Sequence, residues 1–329
     1  MSSWDKSLYT ASDKNIWQGR ADGINGERFY SRVISQDVYT YDPSLSSVAI
    51  IGFTCDEGVR RNFGRVGASL GPKKIREEIR SLACHLPSHV KITDLGDVTC
   101  HGENLEEAQN ALAEIVGIVR SHGKIPFVLG GGHETAWGHY QGLEKQLGTE
   151  KLGIINFDAH FDLRSLDEKN KGSSGTPFYQ IAEDCSQKKR DFHYACLGVQ
   201  EFSNTKTLFE RAESLKTLTV LASQLKKENT VSVEKKLENF ISQVDQIYLS
   251  LCLDVFSSAL APGVSALNPF GLTQDELLPL FKYILQTKKV CGLDIVELSP
   301  PWDEGNKTAK LAAYITSFLL HNLLMQIKS

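Results

Sequence analysis

The sequence predicts an α/β protein: a mostly parallel central sheet between two layers of helices, a three-layer α/β/α arrangement. Three observations carry that expectation. Apolar, β-like runs alternate with segments of helical periodicity, and that alternation builds parallel sheets with helices on both faces. Polar residues collect at the carboxyl ends of four runs, where ligand sites of parallel sheets form. The 329 residues show no internal repeat, low-complexity segment or linker, so one large domain spans 1–329, with residues 1–45 an N-terminal extension packed on it.

The elements follow in order. SSVAIIGF (46–53) reads as the first strand, and GPKKIREEIRSLA as a helix opened by Pro72. VKITDLGDV is extended. NLEEAQNALAEIVGIVRSHG is an amphipathic helix stopped at Gly123. IPFVLGGG is a strand running into glycines, and HETAWGHYQGLEKQL the next helix. LGIINFDAH, HYACLGVQ and TLTVLAS are strands, and SVEKKLENFISQV is helical. QIYLSLCLDV is a strand, TQDELLPLFKYILQT a helix capped by Thr273, KVCGLDIVELSP a strand and KLAAYITSFLLHNLLMQ the last helix.

Composition narrows the function classes. Hydrophobic residues are 41%, charged residues 23% and the net charge −4, ordinary for a globular protein. No long basic run predicts nucleic-acid or anionic-membrane binding, and no apolar run reaches the roughly 18 residues of a membrane span. MSSWDKSLYTASDKN lacks the order of a signal peptide. The seven cysteines are scattered without a CxxC pair, which points to a reducing cytoplasm.

The chemistry concentrates in NFDAHFDL. Asp158, His160 and Asp162 are two residues apart, so an extended chain points them to one face. Three ionisable groups ending an apolar strand are costly to bury without a partner. A cation supplies one, and this donor set suits Mn, Fe, Zn or Co. His133 follows three glycines, and Asp254 lies two positions after Cys252 at another strand end. Glu297 ends GLDIV.

GGGHETAWG, NFDAHFDL, SLCLDVFSSALAPGVSA and GLDIVELSP together resemble the four signature regions of the ureohydrolases, the arginase and agmatinase superfamily. The resemblance runs from about Ile50 to the C-terminus. GGGHE, SSGTPF (173–178), LGVQEFSNT (197–205), DEGVRRNFGRVGA (56–68) and an N-terminal WQGRADG look most like the branch acting on formimidoylglutamate. The resemblance implies a two-manganese centre held by His133, Asp158, His160, Asp162 and Asp254. Such a pair lowers the pKa of a shared water that attacks an amidine or guanidine carbon. It implies that Asp162 carries a proton to the departing nitrogen and that Glu297 grips the cationic nitrogen group.

Two positions depart from the family pattern. Where Asp-x-Asp is usual, Cys252 takes the place of the first, bridging Asp. A thiolate prefers zinc or iron to manganese, so three outcomes are open: a binuclear site with an altered ligand set, one firmly held metal, or a changed metal preference. Ser174-Gly175-Thr176-Pro177 stands where arginases carry a catalytic histidine, which fits a substrate other than arginine or proton relay through water.

For substrate recognition, the loop after the first strand offers Arg60, Arg61, Asn62 and Arg65, and Ser174, Gln200 and Asn204 offer polar contacts. Arginine binds carboxylates with two prongs, which argues for an acidic substrate. The reading is a cytoplasmic hydrolase of C–N bonds in linear amidines that converts N-formimidoyl-L-glutamate and water to L-glutamate and formamide in histidine breakdown. The alternatives are a guanidino-acid hydrolase releasing urea and a metal-poor relative that only binds. The partner is a small molecule carrying an amidine and carboxylates; homo-oligomers are common among such relatives.

Overall fold

The computed structural model describes residues 4–20, 27–227 and 230–326. Residues 21–23 of the WQGRADG stretch lie outside them. The chain opens with β1 (Tyr9–Thr10), β2 (Val33–Ser35) and β3 (Val48–Thr54), then α1 (Glu57–Arg61) and α2 (Gly71–Ile79). There follow β4 (Ile92–Thr99), α3 (Leu105–Ser121), β5 (Ile125–Leu129), α4 (Thr135–Glu144), β6 (Leu152–Phe157) and α5 (Pro177–Gln187). β7 (His193–Val199), α6 (Lys206–Ser214), β8 (Leu218–Leu221), α7 (Ala222–Lys227) and α8 (Thr230–Ile241) come next. β9 (Gln246–Cys252), α9 (Gln274–Gln286), β10 (Val290–Val296) and α10 (Lys307–Leu324) complete it.

All of these strands join one sheet in the order β1-β4-β3-β5-β10-β9-β6-β7-β8, with β2 also on β4. Of the pairings between these strands in the described residues, β1–β4 alone is antiparallel. Successive residues of β3 show how the sheet divides two cores. Val48 and Ile50 belong to the core that also contains residues of α2, α8, α9 and α10, while Ala49, Ile51 and Phe53 belong to the core that contains residues of α3, α4 and α5. This period of two leaves both faces covered, the condition for a parallel sheet.

The N-terminal segment is woven into the sheet edge rather than laid over it. Tyr9 pairs with Val98 and Val33 with Ile92. Trp17 Nε1 donates to Asp94 Oδ2 at 2.7 Å, and the other Asp94 oxygen holds the fully buried Arg76 at 2.9 Å. Arg76 also reaches Asp97 at 2.6 Å. Removing one side of such a buried pair leaves an uncompensated charge, at a cost of about 3–5 kcal/mol. α5 is a second departure: SSGTPF runs directly into it, with Pro177 at the first helical position, where its missing N–H costs nothing.

Candidate metal centre and substrate cavity

β5, β10, β9 and β6 are consecutive neighbours in the sheet, and their carboxyl ends supply the expected cluster. His133 follows β5, Asp158–Asp162 follow β6, Cys252 and Asp254 end β9, and Glu297 ends β10. Two strands late in the chain are thus inserted between β5 and β6, a reversal of strand order that opens a crevice. The glycine turn before His133 is sterically required at Gly131, where an added Cβ would lie 1.6 Å from the Cys55 carbonyl oxygen. Asp162 (φ 48°) and Glu297 (φ 70°) hold left-handed backbone, a strain that concentrates at functional sites.

Asp158 sits between two histidines. Its Oδ2 is 2.9 Å from His133 Nδ1, and its Oδ1 is 3.4 Å from His160 Nδ1. Asp162 Oδ2 is 2.9 Å from His133 Nδ1, and Asp254 Oδ2 is 3.1 Å from His160 Nδ1. The donors form two trios, His133–Asp158–Cys252 and Asp158–His160–Asp254, each with its ligand atoms within 4.8 Å of one another. The two trios share Asp158 and offer nitrogen, oxygen and sulfur donors that would suit divalent cations. Carboxylates whose ion pairs, among the described residues, are made to histidines alone fit divalent cations better than a self-sufficient polar network.

The electrostatics of the metal-free cluster agree. Burial and the Asp158 charge push the Asp162 carboxyl up to about 6, and the same causes raise Asp254. Burial opposes charge on His133 and His160, yet their carboxylate partners hold both well above the ordinary histidine value. Asp158, also opposed by burial, is kept below its usual range by the two histidines. Apart from Asp158, whose effect is complete once pH exceeds the ordinary aspartate pKa of about 3.9, these groups give the native state extra protons. Above that pH, stability of the metal-free protein therefore falls as pH rises: first through the Asp162 titration near 6, then above the ordinary histidine pKa. Cations must displace those protons. Adding Mn²⁺ should raise Tm, by about 2.7 kcal/mol of stability at a hundredfold excess over Kd, and by more at pH 8 than at pH 6. Thermal melts at both pH values test this; an equal rise at each would refute proton displacement.

Cys252 is buried within the first trio, and burial followed by the Asp158 charge drives its thiol pKa far up. A protonated thiol is a poor ligand. Cys252→Asp should therefore retain Mn²⁺ as well as the wild-type protein or better, with activity kept or raised, as read by metal content and turnover. A large loss in a folded variant would give the thiol a specific role.

A second layer orients the ligands. The Ser250 hydroxyl donates to Asp294 Oδ1 at 2.6 Å and faces His133 Nε2 at 3.0 Å. Ser250 therefore accepts from Nε2–H, which aims Nδ1 at the carboxylates: it holds a proton between them in the metal-free protein and would offer its lone pair to a cation that displaces that proton. Asp294 Oδ2 also faces His139 Nδ1 at 2.9 Å and accepts from the Tyr248 hydroxyl. His139 belongs to this buried network.

The cluster floors a cavity of about 320 Å³ lined in part by Asn62, Arg65, Arg164, Ser174, Asn204 and Glu297. Of the residues expected to meet substrate, Asn62, Arg65, Ser174 and Asn204 are brought to it. Three expectations need correcting. Arg60 is absent from the lining because it pairs with Glu57 at 2.6 Å and Glu103 at 3.0 Å. Arg61 is held by Glu57 at 2.9 Å and Glu106 at 2.5 Å. Gln200 turns to the Phe270 carbonyl at 2.9 Å. Arg65 lines the wall, but its guanidinium is spent on the Ser265 and Val264 carbonyls at 3.0 and 2.5 Å and stacks on Trp302. Asn204 braces the metal loop, accepting from Phe161 N–H at 3.0 Å and donating to the Ala159 carbonyl at 2.9 Å.

Arg164 was missed. It lines the cavity, and among the described residues its guanidinium has no hydrogen-bond or ion-pair partner. Its signal was available, since 158, 160, 162 and 164 continue one series of alternate positions.

A family model described as Arginase family matches residues 46–321. Formimidoylglutamase of Legionella pneumophila (strain Paris) is 44% identical over 320 residues, covering 96% of this chain and 98% of the Legionella protein. Formimidoylglutamase of Ralstonia nicotianae is 38% identical over 327 residues, 97% of this chain and 98% of that one. Among solved structures, Trypanosoma cruzi formiminoglutamase with Mn²⁺ matches with a TM-score of 0.79 at 26% identity, covering 91% of this chain and 99% of that one.

Proposed function

The chain belongs to the arginase family, and we propose that it hydrolyses N-formimidoyl-L-glutamate to L-glutamate and formamide in histidine breakdown. The observation that carries this reading is the pairing of unlike groups around one cavity. A buried carboxylate, Glu297, keeps one oxygen without a hydrogen-bond partner, and a free guanidinium, Arg164, lines the same space. An amidinium at one end of a substrate and carboxylates at the other match that polarity.

Two divalent cations, manganese on the family pattern and as in the Trypanosoma cruzi relative solved with Mn²⁺, would supply Lewis acidity that polarises substrate and makes water a better nucleophile. His133, Asp158 and Asp162 would hold one, with the Cys252 thiol beside them; Asp158, His160 and Asp254 would hold the other. The chain's own groups do the rest. Glu297 orients the amidinium through charge-assisted hydrogen bonds. Arg164 anchors a carboxylate, and Asn62 and Ser174 offer further polar atoms along the wall. Asp162 takes a proton from the attacking water and gives it to the departing nitrogen. Water oxygen bonds to the formimidoyl carbon, the bond from that carbon to the glutamate nitrogen breaks, and that nitrogen leaves as the amine.

The test supplies formimidoylglutamate and a guanidino acid separately to the Mn²⁺-loaded protein and detects formamide and urea. Formamide from the first is the expected result. Urea from the second alone would establish a guanidino-acid hydrolase, and turnover of neither would leave a binding protein. Arg164→Ala should raise KM for formimidoylglutamate about tenfold with kcat little changed. It removes one charged contact worth about 1.5–3 kcal/mol, at the lower end because the group is exposed. An unchanged KM would remove Arg164 from the site.

A further inference from the structure

We propose that Glu134 is a positioning residue that caps α1 in trans and so locks the cavity wall at 62–65 to the metal loop. Glu134 follows His133 directly and its side chain is fully buried, yet it belongs to neither donor trio. Its Oε1 accepts the Gly58 N–H at 2.9 Å.

That N–H lies in the first turn of α1, where backbone donors have no partner within the helix. Asp56, at the α1 N-cap position, does not supply one. Its Oδ2 instead accepts from Gly67 N–H at 2.7 Å and Ser69 Oγ at 3.0 Å. The cap of α1 therefore comes from another part of the chain. The fit is close: a Cβ on Gly58 would lie 2.5 Å from Glu134 Cδ, so only glycine admits the carboxyl here.

The consequence lies at the other end of α1. Its five residues are too few to persist on propensity alone, and Asn62, Phe63, Gly64 and Arg65 follow at once as cavity wall. Glu57 holds Arg60 and Arg61 within the helix but does not tie it to the metal loop. Glu134 does, from the residue next to a metal ligand. Together with the Gly132 N–H bond to the Cys55 carbonyl at 3.0 Å and the hold of Ser265 and Val264 on Arg65, this bond sets the wall's distance from the metal centre, and so the fit of a substrate between Glu297 and that wall.

The substrate part of the inference rests on the proposed function; the bond itself does not. The variant is Glu134→Ser. Serine cannot reach Gly58, but it is a good N-cap for α4, whose N-cap position Glu134 occupies. Glu134→Met, similar in length and without an acceptor, is the second variant should the first not fold. Glu134→Gln keeps an acceptor oxygen. Hydrogen exchange of the Mn²⁺-loaded protein should quicken about tenfold in the peptide covering 56–65, while the peptide covering 158–162 stays unchanged. KM for formimidoylglutamate should rise on the order of tenfold with kcat and bound metal within about twofold. Glutamine should restore both. Unchanged exchange at 56–65, a uniform rise along the whole chain, or failure of Glu134→Gln to restore KM would each overturn the proposal. If no variant and no wild-type protein turns over the substrate, the functional reading falls, while the exchange data still decide the bond.

Discussion

Asp158→Ala should abolish turnover and release metal from both positions. Asp158 is the one residue common to the two donor trios, and its two oxygens face different histidines. The carboxylate is itself fixed: Asn156 Nδ2 donates to Oδ2 at 3.1 Å and the His160 N–H to Oδ1 at 2.7 Å. Its removal takes a ligand from each cation at once and frees His133 and His160 to turn. Lewis-acid stabilisation is worth several kcal/mol of barrier, and each 1.36 kcal/mol is tenfold in rate. A loss of about a thousandfold or more in kcat/KM is expected. Asp158→Asn, of the same shape, separates lost charge from lost packing and should fail nearly as badly. Metal content by mass spectrometry is the direct reading. A folded Asp158→Ala protein that keeps two metals per chain would refute the shared-carboxylate centre.

Asp158 was legible from sequence for a local reason: its partners His160 and Asp162 are two and four residues away at the end of one apolar strand, although the strand itself ends at Phe157 and the loop beyond it, with Asp162 in left-handed backbone, is what brings them together. His133, Asp254 and Glu297 became legible once parallel strands were inferred, because such strands put their carboxyl ends on one rim. The arginines were harder. Glu57 lies at helical spacing from Arg60 and Arg61 and was visible as a competitor, but Glu103 and Glu106 approach from more than forty residues away. Nothing local tells a substrate-binding arginine from one already paired. The second layer is less local still: Ser250, Asp294 and His139 meet across separations above forty and a hundred residues. β1 and β2 exist through the β4 edge they pair with, since two or three residues carry no period to read.

Glu297→Gln should lower kcat/KM about a hundredfold while leaving metal content intact. Glu297 belongs to neither donor trio, so the metals have no direct reason to leave. Its Oε1 accepts the His133 N–H at 2.8 Å, a bond that glutamine's oxygen can keep. Among the described residues Oε2 has no hydrogen-bond partner, and glutamine replaces it with an NH₂ group, a donor facing the donors of an amidinium. A hydrogen bond to a charged group contributes about 1.5–3 kcal/mol, and this carboxylate is buried, so the upper end applies. The same substitution should not lower stability. Burial, with the nearby Glu134 charge, holds the Glu297 carboxyl far above its ordinary pKa. An acid with a raised native pKa binds a proton that the unfolded chain releases at neutral pH, so folding is penalised there, and a neutral amide escapes the penalty. A variant at least as thermostable as wild type in its metal-free form, yet severely impaired in turnover, is the expected pair of results from melting and kinetics. Wild-type kcat/KM in Glu297→Gln would show that this carboxylate does not hold the substrate's cationic end.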